Sequence, residues 1–264
     1  MSGCSEELMP KRLYEPNVSQ PFPISRTKID LSVECSRCFY LDVRLGIGRP
    51  SGPPFLLNSA VDVLLKKEFD IYRRTQTSHP IMDSLRPGLV PAARSDLETW
   101  RYNFKGVRTH HPETNFELFG AIDDLWHDTI NDVFIVVDYK STSKKDTVAV
   151  NNVYPGYWRQ LEFYQYLVAK QGLNVTNLGV LVYANAKKDV EQFGAQLVFD
   201  VRLVHDTLNN NWVDNAVLSA WSVLNSDTIP PFNEECKYCA YAEKNSVENT
   251  TSDNPVESQF TLPF

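Results

Sequence analysis

The sequence predicts an α/β or α+β domain, a mixed β-sheet flanked by helices, and three observations carry that expectation. Helical patterns fall within residues 25–104, strand-like apolar runs begin only after about residue 105, and a helical pattern then interrupts and later closes the series of strands. Residues 1–24 hold Pro10, Pro16, Pro21 and Pro23 without apolar periodicity and read as a flexible tail. Residues 243–264, rich in Ser, Asn, Thr and Glu, read as a second one. Between them, 25–242 reads as one domain, divided into a helical cap over 25–104 and a core with a C-terminal cysteine segment over 105–242.

Within the cap, Ser25 or Thr27 can start a helix through IDLSVECSRCFYLDVRL, and Pro50 to Pro54 separate it from a helix over 58–74. A proline-punctuated loop, HPIMDSLRPGLVPAA, leads to a short helix near 96–102. Strands are expected at 106–111, 116–126 and 133–140 as an antiparallel meander, followed by a helix over 155–171 that crosses over to the strand LGVLVYAN. FGAQLVFDVRLV alternates as a further strand. Residues 211–224 form a closing helix with Trp212, Val213, Ala216, Val217, Ala220 and Trp221 on one face.

A net charge of -7 argues against a protein whose whole task is coating nucleic acid, because phosphate binding runs on Lys and Arg. Local basic groups remain: Arg37 with Arg44 and Arg49, Lys66 with Lys67, Arg73 with Arg74, Lys144 with Lys145, and Lys187 with Lys188. Each also reads as ordinary solvated surface. No apolar run reaches the length of a membrane span, and the first residues lack the apolar stretch of a signal peptide, so a soluble, cytoplasmic protein without a membrane partner is expected.

The run Val133 to Lys140 is apolar until it ends in Asp138, Tyr139 and Lys140. Alternation along a strand puts Asp138 and Lys140 on one side and Tyr139 on the other. Upstream, Gly120-Ala-Ile-Asp123 sits in a neighbouring strand, where its carboxylate can approach that of Asp138. Two such carboxylates repel unless a cation lies between them, and oxygen ligands suit Mg²⁺ or Mn²⁺. Lys140 is then placed to orient a hydroxide or to stabilise charge on a phosphate. An ion pair of Asp138 with Lys140 at a strand end is the bland alternative. Gln160 and Tyr164, four residues apart in the next helix, can reach one ligand together, or belong to an amphipathic face that packs Leu161, Phe163 and Leu167 on the sheet.

The series Gly120-x-x-Asp123, Asp138-Tyr139-Lys140 and Gln160-x-x-x-Tyr164 resembles the RecB-like branch of the PD-(D/E)XK nucleases, which includes CRISPR-associated RecB-like exonucleases and the AddB nuclease domain. The resemblance spans about 25–242 and implies a restriction-endonuclease-like core. It implies Asp123 and Asp138 as metal ligands, the Tyr139 carbonyl as a further ligand, Lys140 as the catalytic lysine, and Gln160 and Tyr164 beside the nucleic acid or that lysine. Where the family often has a histidine in an early helix, this chain has Asp62, which either replaces it as a ligand or is an exposed helix acid. His110 and His111 are the other candidates for that place.

Cys35-x-x-Cys38 and Cys236-x-x-Cys239 lie near opposite ends of the domain, and in a reducing compartment this pattern points to metal before disulfides. The two-plus-two spacing is that of a structural zinc site. The resemblance implies instead a four-iron four-sulfur cluster, although the family's third C-terminal cysteine is missing. Cys4 stands alone in the tail.

The expected function is thus a metal-dependent deoxyribonuclease, an exonuclease acting on DNA with single-stranded ends in repair, recombination or CRISPR adaptation, with protein partners from such a complex. The strand is expected to pass Tyr157, Trp158, Arg159, Lys144 and Lys145, since bases stack on aromatic faces and phosphates seek cations. Two alternatives are a nucleic-acid-binding protein that kept the fold and lost cleavage, and a metal-stapled interaction protein with no nucleic-acid role.

Overall fold

The computed structural model describes residues 12–251, and for 245–251 only the backbone. Cys4 and the outer parts of both tails lie outside the described residues. The elements run β1 (Phe22–Ser25), α1 (Arg26–Glu34), α2 (Ser36–Leu45), α3 (Leu56–Thr75), α4 (Pro80–Asp83), β2 (Leu89–Pro91), α5 (Leu97–Arg101), β3 (Val107–His111), β4 (Phe116–Gly120), β5 (Asp124–Asp128), β6 (Val133–Thr142), α6 (Pro155–Ala169), β7 (Leu178–Ala186), β8 (Phe199–Thr207), α7 (Trp212–Leu224) and α8 (Lys237–Thr251). Among the described residues no helix is long and apolar enough to cross a membrane.

The strands form two mixed sheets, a small one in the order β1-β4-β3 and a larger one in the order β2-β5-β6-β7-β8. The larger sheet is sandwiched. On one face Ile135, Val137 and Tyr139 of β6 and Val180, Val182 and Ala184 of β7 pack against Val61, Leu65 and Phe69 of α3. On the other, Val136, Leu181 and Tyr183 pack with Leu161 and Phe163 of α6 and Val213 and Val217 of α7. β6 is therefore covered on both sides, which explains why it reads as an unbroken apolar run. Its parallel pairing with β7 uses α6 as the crossover, while β5–β6 and β7–β8 are antiparallel.

The mixed sheet flanked by helices matches the expected class, and four differences in detail follow from local chemistry. The expected three-strand meander is divided, because the strand anticipated over 116–126 is two strands in different sheets. Between β4 and β5 the chain crosses from one sheet to the other, with Ile122 fully buried and Ile122 N donating to Trp100 O at 3.1 Å. That crossing is close-fitting: a Cβ on Gly106, whose φ is 64°, would lie 2.5 Å from Gly120 O. Secondly, the first expected helix breaks at Cys35, which is extended (φ -163°, ψ 103°) and caps α2 with its sulfur.

Thirdly, β8 begins at Phe199 rather than near Phe193, after Gly194 and Ala195 take positive φ in a turn. Fourthly, the N-terminal tail expected through residue 24 is structured from its described part onward. Tyr14 is buried edge-on to Phe22 and Phe116, and β1 pairs in parallel with β4. Its prolines are tolerated because a four-residue edge strand needs few ladder donors.

Candidate active site

Asp123 lies in the bend between the two sheets rather than inside a strand, and Asp138 and Lys140 lie on one side of β6. Asp123 Oδ2 accepts from Tyr139 N at 2.9 Å, which brings its carboxylate directly beside that of Asp138. Asp138 is 1% exposed; its Oδ2 is ion-paired with the Lys140 ammonium, and among the described residues no hydrogen bond of ordinary geometry reaches either oxygen. Burial pushes Asp138 up to about 7, the neighbouring Asp123 charge adds to that, and Lys140 opposes it. Asp123 is held below the usual carboxylate range: burial disfavours its charge, but Lys66 and Lys140 outweigh it.

From Lys140 a chain of contacts leads into α6. Lys140 Nζ donates to Gln160 Oε1 at 3.3 Å, Gln160 Nε2 donates to Tyr164 OH at 3.2 Å, and the ammonium sits 4.6 Å from the Tyr157 ring centroid. Gly120 matters here for its missing side chain. A Cβ there would fall 2.6 Å from Cε1 of Tyr164, so the glycine admits the tyrosine ring that completes the chain.

From the opposite face, α3 contributes Asp62 and Lys66. Lys66 Nζ donates to Asp62 Oδ2 at 2.9 Å and to Asp123 Oδ1 at 3.2 Å. Asp62 is raised by burial and by Asp123, with Lys66 opposing. Asp62, Lys66, Asp123, Tyr139, Lys140 and Tyr157 all border one open cleft of about 480 Å³, with Asp138 buried behind it. Three carboxylates and two ammoniums thus converge.

A family model of the PD-(D/E)XK nuclease superfamily matches residues 59–243. The chain belongs to that superfamily. No curated protein sequence matches it. PD-(D/E)XK enzymes are metal-dependent nucleases, and the residues present fit a divalent cation. The observation that decides this is Asp138: a buried carboxylate next to a second carboxylate, with Lys140 as its charged partner, keeps oxygen lone pairs without an ordinary hydrogen bond among the described residues, which a cation would satisfy. The donors are oxygens, as a hard cation prefers.

Other expected positions fall elsewhere in this PD-(D/E)XK fold. His110 is exposed and bonded to Asn115, while His111 is buried against Thr114 and Asp214, and neither borders the cleft. Arg159 is committed to Asp30 and Glu34 of α1, and Trp158 packs against the core. Arg37, Arg44 and Arg49 are half-buried and committed to contacts within the chain. Arg37 donates to Pro230 O, Arg44 to Leu224 O and Ser226 O, and Arg49 to Glu34 and the Cys236 sulfur.

A buried ion cluster behind the cleft is the feature least visible in the sequence. Asp124, fully buried, accepts from Arg73 Nη2 at 2.5 Å, Arg101 Nη2 at 3.0 Å and Tyr139 OH at 2.5 Å. Arg101 also donates to Asp70 and to the Asp123 carbonyl at 3.0 Å, which fixes the backbone of the bend. The doubled acid Asp123-Asp124 was its only sequence signal; nothing near Arg101 announces it.

The four cysteines form a separate buried cluster. Cys35 and Cys239 sulfurs are 3.6 Å apart, as are those of Cys38 and Cys236, and all four lie within 4.8 Å of one another. Each pair straddles a helix N-terminus, Cys35 and Cys38 at α2 and Cys236 and Cys239 at α8. Such a set can hold a metal.

Replacing Asp124 with alanine leaves Arg73 and Arg101 buried without their shared partner. The expected loss is about 3–5 kcal/mol of folding stability, read as a lower denaturant midpoint, with Asp124→Asn less affected than Asp124→Ala.

Proposed function

We propose that the protein is a metal-dependent nuclease that hydrolyses DNA phosphodiester bonds at this cleft. The observation that carries the reading is the buried Asp138 carboxylate, short of hydrogen bonds, between Asp123 and Lys140. Asp123, Asp138 and the Tyr139 carbonyl would hold Mg²⁺ or Mn²⁺, with Asp62 a fourth ligand in place of the family's histidine. When bound, the ion supplies Lewis-acid activation of water and charge neutralisation at the phosphate. Lys140 holds its ammonium at the edge of the cleft, where it can orient the attacking oxygen and stabilise developing negative charge. Gln160 and Tyr164 position Lys140 rather than touching substrate. The chain of contacts from Lys140 through Gln160 to Tyr164 supports the RecB-like branch, and exonuclease action on single-stranded ends is carried over from that resemblance.

One observation favours a second reading, a binding protein that kept the fold and lost cleavage: the Lys66 ammonium already bridges Asp62 and Asp123, two of the carboxylates a cation needs. A single assay separates the two. Purified protein with Mg²⁺ or Mn²⁺ is expected to cleave end-labelled single- or double-stranded DNA, and Lys140→Ala to slow cleavage about 100-fold or more. Intact DNA in all lanes, or equal rates for wild type and Lys140→Ala, would refute the nuclease reading.

We further propose that the four cysteines hold one tetrahedral zinc ion. Four sulfurs sharing one zinc at about 2.3 Å stand about 3.8 Å from one another, close to the 3.6 Å of the two observed pairs. A cube of four irons carries its cysteines outward from separate corners and spreads them farther. Elemental analysis is expected to give about one zinc per chain in colourless protein, and chelation to lower the melting temperature. Four irons per chain with visible absorbance would contradict the assignment.

A further inference from the structure

Of the basic groups in the sequence, Arg37, Arg44, Arg49 and Arg73 are committed to internal contacts, whereas two lysine pairs are not. Lys144–Lys145 and Lys187–Lys188 follow the carboxyl ends of β6 and β7, the parallel neighbours of the larger sheet. Register sets Thr142 opposite Asn185, and Asn185 Nδ2 donates to Lys144 O at 3.1 Å, so the two segments are tied side by side. The four lysines border one open groove of about 550 Å³. All four are exposed, and among the described residues none is ion-paired with a carboxylate; Lys144 donates only to the Asn152 carbonyl. Of the two acids at the groove, Asp200 is already paired with Arg202. In a chain of net charge -7, this local excess of cations runs against the composition.

The groove and the catalytic cleft share one stretch of chain: Lys140 and Ser141 border the cleft, and Lys144, two residues past the end of β6, borders the groove. Among the described residues no aromatic side chain borders it, so it offers charge to a backbone and no platform for bases.

We propose that this groove is the strand-holding extension of the cleft, in which Lys144, Lys145, Lys187 and Lys188 bind successive phosphates of a nucleic-acid strand without reading its sequence. The assignment rests on the nuclease reading for which bond is cut, but binding tests it independently. The probe is a fluorescent 30-nucleotide single strand of mixed sequence, titrated without added divalent cations over a range of salt concentrations. Lys187→Ala/Lys188→Ala and Lys144→Ala/Lys145→Ala are each expected to flatten the slope of log affinity against log salt by about 1.4, since each phosphate contact on a single strand contributes about 0.7. The charge-matched control Lys105→Ala/Lys170→Ala is expected to keep the wild-type slope.

Equal slopes for wild type and both groove variants, an equal flattening by the control, or no salt-sensitive binding by wild type overturns the proposal. Lysine-dependent binding in a protein that does not cleave upholds the groove and removes the nuclease reading. Cleavage with lysine-independent binding does the reverse.

Discussion

Two carboxylates side by side, Asp138 buried and Asp123 half-buried, are intolerable without positive charge between or around them, and the site is organised about that constraint. Asp123 reaches the end of β6 from the bend between the sheets, and Asp138 is sealed within it. Lys66 of α3 and Lys140 of β6 approach the pair from opposite faces of the same sheet, whose two faces are covered by apolar packing of helices. The acid next in the chain, Asp124, is turned the other way and neutralised by Arg73 and Arg101. Consecutive acids thus serve opposite purposes: one is anchored in a saturated ion cluster, and the other presents a carboxylate to a cleft.

The cysteine cluster acts on the same region through α1 and α2. Cys35 joins these helices, and Cys236 and Cys239 draw the start of α8 onto them, with the Arg49 guanidinium bonded to the Cys236 sulfur. Arg26 of α1 lies over the Tyr164 ring at 6.0 Å, and Asp30 holds Arg159 of α6. The helix that carries Gln160 and Tyr164 is therefore braced by the helices that the cysteines clamp.

What the sequence disclosed follows from periodicity and spacing. The alternation rule placed Asp138 and Lys140 together and Tyr139 opposite, and it holds because β6 is a regular ten-residue strand. Gln160 and Tyr164 were readable as one helix face, and Cys-x-x-Cys pairs as partners, for the same reason. Features that depend on tertiary contacts were hidden. Apolar residues either side of the Asp123-Asp124 pair concealed the crossing between sheets, and a helical pattern continued through Cys35 although its sulfur was needed as a cap. The arginines resembled surface charge because their acceptors, carbonyls in residues 224–230, are distant in the chain. Lys66 looked like one half of a basic patch until α3 was set over the cleft.

The central claim, that the Asp123 and Asp138 pair is built for a divalent cation, is tested most directly by Mn²⁺ binding followed calorimetrically on protein whose cysteine site is already filled. Wild type is expected to bind Mn²⁺ saturably, and Asp138→Asn, which keeps the shape and removes the charge, to lose most of that affinity. Wild-type protein that binds no Mn²⁺, or an Asp138→Asn variant that binds it equally well, would contradict the account.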